Sequence, residues 1–246
     1  MNPVVATNLV AATRKKCNLH QVRSSLPACP GGFIDSRDGQ IYKTVTIGSQ
    51  TWMAENLNYY DVTLEGRSWC HDDENDTAPY NCDENGRLYT WAAAIDSAKL
   101  YKEKSIDCGY GKICTLPAKY QGICPSGWHL PTNTEWNTLF DEVGGLSTAG
   151  RVLKSQKVWS HYGYVITSGN GTDDFGFTVF PAGIRHDRKY DSEGSAAYFW
   201  TSVEINDNYV YSIQLSNDQD DVSFNDKDEY NAVNKYDGIS IRCLKD

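Results

Sequence analysis

The chain lacks any run of 18 or more apolar residues, so no helix of it is expected to cross a membrane. It also lacks a basic excess: 23 Lys and Arg stand against 32 Asp and Glu, a net charge of −9. Nucleic-acid affinity is carried by cations, so the charge argues against a phosphate backbone as the main partner; the alternative, a basic patch on an acidic protein, is opposed by the scatter of Lys and Arg. No CxxC pair occurs, which argues against a zinc ribbon or a thioredoxin-type motif. HExxH, GxSxG, a phosphate-cradling glycine loop and GxGxxG are all missing. The histidines (His20, His71, His129, His161 and His186) are dispersed, and no motif singles out a glycosidase pair among the many carboxylates. The opening "MNPVVATNLV" has neither the basic start nor the apolar core of a signal peptide.

Cysteine, in contrast, is present in an even number: Cys17, Cys29, Cys70, Cys82, Cys108, Cys114, Cys124 and Cys243. Proximity in sequence suggests local loops closed by Cys17–Cys29, Cys70–Cys82 and Cys108–Cys114. The set reads as a disulfide framework and hence an oxidising compartment, the competing reading being reduced, buried thiols in the cytosol. Export would then imply a leader removed ahead of this sequence. At 246 residues and 40% apolar content, the chain has room for one large domain with an N-terminal extension.

Residues 1–32 show no clear periodicity and carry Pro3, Pro27, Pro30 and a Gly-Gly pair, which suits an extension pinned by Cys17 and Cys29, with a short candidate helix in "VVATNLVAATRKK". From residue 33 a domain is expected to run to residue 246. Ile41, Val45 and Ile47 alternate as on a strand, Gly48-Ser49 is a two-residue turn, and Gln50 to Met53 returns, predicting a hairpin. "RLYTWAAAIDSAKL" is uninterrupted by Gly or Pro and predicts a helix. In "CPSGWHLPTNTEW", Pro131 precedes a helix, Thr132 caps it, and Glu135 reaches back to the Thr132 amide as a capping box. Trp136, Leu139, Phe140 and Val143 follow at helical spacing, and Gly144-Gly145 stops the run. Trp136 belongs in the core if buried and on a ligand surface if exposed; His129, in the stiff turn, is read as packing and hydrogen bonding rather than catalysing. A second helix is expected over "TAGRVLKSQ", then strands at "YGYVIT", "FGFTVFP", "YFWTSV", "YVYSIQL" and "GISIRCL". Hairpin, helices and then strands make an α+β domain rather than a repeating βαβ one.

Six stretches, in order, carry a resemblance: "DSRDGQIYKTVTIGSQTWMAENLNY", "GRLYTWAAA", "QGICPSGWHLPTNTEW", "FGFTVFPAGIR", "AAYFWTS" and "GISIRCLKD". From about Phe33 to Asp246 the chain resembles the Fibrobacter succinogenes major paralogous domain family; the first 32 residues lie outside the match. The resemblance implies a bacterial, exported and often lipid-anchored protein, with any membrane attachment made through a removed or lipidated N-terminus. It also implies a C-type-lectin-like fold, akin to that of formylglycine-generating enzymes and of retroelement variable proteins. Such a fold has short helices and a small, mostly antiparallel twisted sheet, with its first and last strands side by side. On that ground a Cys124–Cys243 bridge is expected, with a mainly structural role.

The expected function is an exported cell-surface module that binds a polysaccharide of plant cell walls. The alternatives are a protein–protein adhesion or structural module without a sugar site and, third, a formylglycine-generating type of enzyme, for which no cysteine looks free. No cofactor is expected, calcium being the one ion with candidates. Asp72, Glu74 and Asp76 crowd one short loop that is either a solvated acidic loop or a set of oxygen ligands. Asn225-Asp226 faintly resembles a lectin calcium motif, with Phe224 in place of its Trp. Asn206–Asp237 consists mostly of Asn, Asp, Ser and Tyr, with eight acids against two lysines. Rigid tyrosines among adaptable polar groups resemble a paratope, although a ligand-free polar loop has similar composition. Tyr230 and Tyr236 are the expected contacts, with Asn225, Asp226 and Asp228 beside them. Tyr209 and Tyr211 share a strand face and belong either to the site or to the core. The acidity of the segment makes an anionic ligand such as pectin unexpected without metal.

Overall fold

Alternating apolar residues, closed by a tight turn at Gly48 (φ 55°), build the first hairpin. In the computed structural model, which describes residues 31–70, 82–159, 169–225 and 232–246, strand β1 (Gly32–Ile34) pairs with β2 (Ile41–Ile47), and β2 with β3 (Gln50–Met53). One short two-stranded ribbon follows, β4 (Ser68–Trp69) with β5 (Leu88–Tyr89), with helix α1 (Cys82–Asn85) between them in sequence. Helices α2 (Trp91–Ala94) and α3 (Ser97–Lys104) lead to β6 (Trp128–His129), and then come α4 (Asn133–Glu142) and α5 (Leu146–Leu153). The later half is built of strands: β7 (Ala182–His186), β8 (Lys189–Glu193), β9 (Ala196–Glu204), β10 (Tyr209–Ser216), β11 (Val222–Asn225) and β12 (Val233–Asn234). The last strand, β13 (Leu244–Lys245), returns to the first hairpin.

The fold is α+β, but the strands form more than the one small sheet expected. A five-stranded sheet has the order β1-β2-β3-β13-β6, and a six-stranded sheet runs β11-β10-β9-β7-β8 with β12 on β10. All named pairings are antiparallel except β7 with β9. Two sheets are needed because there are two aromatic cores to cover. One gathers Tyr89, Trp91, Trp128, Trp200, Ile239 and Ile241; the other gathers Trp52, Trp136, Phe140, Trp159, Phe177, Phe199 and Ile213.

Residues 238–244 run between these cores. Ile239, Ile241 and Cys243 face the first, while Leu244 packs in the second and the Arg242 guanidinium lies over the Phe177 and Phe199 rings. The segment also bonds to every sheet: Ile239 exchanges backbone hydrogen bonds with Tyr89, Ser240 bonds to Tyr198 and Trp200, and the Met53 amide donates to the Cys243 carbonyl. A strand with alternating polar residues usually turns one face to water. Here Arg242 is fully buried, and it donates to Asn56 Oδ1 and to the carbonyls of Met53, Phe177 and Thr178. Complete burial pulls its pKa down to about 9, and it stays charged at neutral pH.

Three expected disulfides are present: Cys70–Cys82, Cys108–Cys114 and Cys124–Cys243. The last joins two fully buried residues and places the start of the "GWHLP" turn against the final strand. Cys17–Cys29, the helix suggested near the N-terminus and the strand suggested at "YGYVIT" fall outside the described residues. No helix among the described residues is long and apolar enough to cross a membrane.

Helix α4 follows expectation, with a capping box between Thr132 and Glu135 and Trp136 buried. Two other readings need correction. "RLYTWAAAIDSAKL" is not one helix but β5, α2 and α3. Thr90 takes an extended conformation and accepts from the Ala93 amide, and Asp96 takes a left-handed one (φ 45°) and accepts from the Lys99 amide. Both side chains offer the backbone a cap where a continuous helix would need a neutral residue. "FGFTVFP" contributes only an isolated bridge at Val179 to Lys154, because Phe177 and Val179 pack inward as a loop.

Candidate functional site

The sequence Asn234-Lys235-Tyr236-Asp237 forms a turn locked by its own side chains. The Asn234 amide donates to Asp237 Oδ2 (3.0 Å), the Tyr236 amide to Asn234 Oδ1 (3.2 Å), and the Asp237 amide to the Asn234 carbonyl (2.9 Å). Its flanks are anchored inward. Lys235 is buried, its Nζ donating to Glu204 Oε1 (2.6 Å) and to the Lys112 carbonyl (2.7 Å), with the Trp91 ring beneath it. Asp237 is buried too, and its Oδ1 lies 2.8 Å from His186 Nδ1. Burial lifts the Asp237 carboxyl above its usual range, against the opposing pull of His186. Between these anchors only the Tyr236 ring turns outward, 42% exposed.

That ring lines a cleft of about 470 Å³ shared with Gly66, Trp69, Thr90, Arg185, Asp187 and Arg188. Tyr236 is flanked by Tyr110, edge-on at 5.3 Å, and by the His186 ring at 6.3 Å. Trp69 carries the Arg185 guanidinium 4.0 Å from its ring centre, and the Tyr190 ring lies beyond at 5.6 Å. Trp69 can approach so closely because residue 238 is glycine: a Cβ there would meet the indole at 3.1 Å. Two disulfides frame the cleft. Trp69 directly precedes Cys70 of Cys70–Cys82, and Tyr110 sits inside the Cys108–Cys114 loop. That loop is tied to the scaffold by the Gly111 amide on the Asp207 carbonyl (2.9 Å) and the Cys114 amide on Glu204 Oε2 (2.8 Å).

Of the described residues expected at the site, Tyr236 is the one that lines this cleft. Tyr209 and Tyr211 lie half-buried along β10, Tyr209 opposite Asn234, and neither lines it. Asn225 ends β11 with its backbone opposite Ser212. Asp226, Asp228 and Tyr230 fall outside the described residues, as do Asp72, Glu74 and Asp76. Among the described residues no three His, Cys, Asp or Glu side chains gather as metal ligands would. Sequence reasoning missed Trp69, Tyr110, Arg185, His186 and Arg188. The one signal for them was local: an aromatic beside a cysteine at Trp69, an aromatic inside a cysteine loop at Tyr110, and "RHDRKY" as a cationic cluster at a hairpin tip.

A smaller cleft of about 300 Å³ includes Glu84, Asn85, Phe180 and Glu193. Its wall holds one large aromatic and two carboxylates, one of them accepting from Asn85 Nδ2 (3.3 Å). It offers a ligand far less stacking area. His129 is buried between Asp246 Oδ1 (2.7 Å) and Glu135 Oε1 (3.0 Å). It therefore ties the end of the chain to α4, as a structural residue does.

The Fibrobacter succinogenes major domain is the family whose model matches this chain, over residues 45–245. None of the curated proteins and none of the solved structures compared with the chain matches it.

Proposed function

We propose a binding function, and the premise is one of kinship: the chain belongs to the Fibrobacter succinogenes major domain family. On this reading it is an exported cell-surface module with a C-type-lectin-like scaffold, and its ligand is a polysaccharide of plant cell walls. The observation that carries the reading is Tyr236, an exposed ring on a turn pinned at both ends, facing a 470 Å³ cleft that it shares with Trp69. Sugar rings stack on aromatic faces, and a ring that is already immobile loses little entropy when a ligand arrives. Tyr110, edge-on, and the stacked His186 ring hold the Tyr236 ring from its sides. Three disulfides, two of them framing the cleft, support export, since such bonds persist in oxidising compartments.

The test is a pull-down on cellulose and xylan together with a glycan array, each with and without a calcium chelator. Tyr236→Ala and Trp69→Ala are each expected to weaken binding by about 1 kcal/mol or more, the scale of anchor aromatics. Full affinity in both variants would remove the site from this cleft, and a loss of binding with chelator would restore a role for calcium. The second reading, protein–protein adhesion, draws on the same wall: Trp, Tyr and Arg together are also the composition of protein hot spots. Capture of a protein partner with no glycan bound would select it. A formylglycine-generating activity is the weakest reading, because it needs a reactive thiol and the six described cysteines are all paired.

A further inference from the structure

The charge of the cleft departs from that of the chain. The whole sequence is acidic, at −9, yet among the described residues the cleft lining holds two arginines against one aspartate. The nearby carboxylates are already engaged. Asp187 Oδ2 lies 3.4 Å from His186 Nε2, and Asp237 Oδ1 lies 2.8 Å from His186 Nδ1. One histidine thus contacts both acids, the buried Asp237 and the Asp187 that lines the cleft. Arg185 is spread over Trp69 and Tyr190, so its cation extends the aromatic wall. Arg188 is exposed and forms no ion pair among the described residues.

Backbone geometry points the same way. Asp187 and Arg188 are the two central residues of the β7–β8 hairpin, between the paired residues His186 and Lys189. Both have positive φ, 48° and 64°. A two-residue turn of this kind favours Asn-Gly, and an arginine in its second place costs backbone energy. Strain of that sort concentrates where a side chain is needed for binding. The strained position is the one that lines the cleft with a guanidinium.

We infer that the cleft takes an acidic glycan, a sugar chain carrying uronate carboxylates, with the sugar ring against Tyr236 and Trp69 and the carboxylate on Arg188. The inference rests on the polysaccharide reading above and narrows it. It also reverses the expectation drawn from composition. Net charge is a sum over the whole surface, whereas a ligand in a cleft answers to the groups within a Debye length, about 8 Å in physiological salt. A planar guanidinium recognises a carboxylate through two parallel hydrogen bonds, which an ammonium cannot copy.

The experiment titrates the full chain with four probes: oligogalacturonate, the same oligomer as its methyl ester, a neutral cello-oligosaccharide and a sulfated oligosaccharide. The acid oligomer is expected to bind at least ten times more tightly than its ester, with an advantage that shrinks as salt is raised. Arg188→Gln is expected to abolish that advantage, so that acid and ester bind alike; Arg188→Lys keeps only part of it. Arg188 sits at an exposed turn, and an unchanged melting temperature shows that the variant is folded. Equal affinity for acid and ester, or an advantage that survives Arg188→Gln, overturns the inference and leaves the polysaccharide reading standing if Tyr236→Ala still loses binding. Binding of the sulfated probe without the uronate overturns the carboxylate assignment. Failure to bind any of the four, and any glycan of the array, overturns both.

Discussion

At the scale of single residues, His129 shows how one buried side chain makes stability depend on pH. Burial alone would lower its pKa, but the carboxylates of Glu135 and Asp246 outweigh burial and hold it above the ordinary 6.5. Both ring nitrogens face carboxylate oxygens, and only the imidazolium can donate to two acceptors at once. Burial likewise opposes the charge on Glu135, and the bonds from His129 and Thr132 overcome it, lowering its pKa from 4.5 to about 2. The raised histidine contributes stability in full below its unfolded pKa and loses it as pH rises through the folded value. The lowered carboxyl contributes above its unfolded pKa and loses its share as pH falls toward 2. Stability from this trio is therefore greatest between about 4.5 and about 6.5. Denaturant unfolding across pH should show a decline on the alkaline side that His129→Gln removes; a decline that persists in the variant assigns it to another group. Trp136 packs against Trp52, Phe140, Phe177 and Phe199, so Trp136→Ala is expected to cost about 3–5 kcal/mol in the same assay. The sequence made the Thr132–Glu135 cap legible because its partners are three residues apart. It could not show the second carboxylate on His129, because Asp246 is 117 residues away.

At the scale of elements, the legible parts were those whose signal is local. The first hairpin, the cap of α4 and the short disulfides all join residues that are near in sequence. The breaks before α2 and before α3 were hidden because Thr90 and Asp96 are tolerable in a helix and reveal themselves as caps only when the backbone around them turns. The binding surface was half legible: composition pointed to Asn206–Asp237 and so to Tyr236. Its partners belong to β4, the Cys108–Cys114 loop and the β7–β8 hairpin, which no window of sequence connects. The β7–β8 turn offers a direct check. Replacing Asp187-Arg188 by Asn-Gly matches the side chains to the positive φ of both positions, and should stabilise the fold by about 1 kcal/mol. Thermal unfolding that shows no gain, or a loss, would mean that the turn carries no strain.

At the scale of the whole molecule, the two aromatic cores and the segment between them set the architecture. The Cys124–Cys243 bridge closes a separation of 119 residues, so the double replacement Cys124→Ala and Cys243→Ala is expected to cost about 4–5 kcal/mol in the chain-entropy picture. Chemical denaturation of the variant measures it; a cost near zero would place the constraint in the packing around residues 238–244 instead. Family membership was legible because its six stretches keep their order, while the two-sheet arrangement was not, since an isolated strand pattern does not say which sheet it joins. The position of residues 238–244 has a kinetic consequence. Their backbone partners at Met53, Tyr89, Arg185 and Tyr198 are dispersed along the chain, so neither core can close until this stretch has docked. Contacts between such distant positions must pay loop-closure entropy before they return any energy, which slows folding. The wall of both cores is thus assembled late, and a chain emerging in the N-to-C direction stays open, with its cysteines accessible to oxidation and isomerisation, until the segment from Gly238 onward arrives.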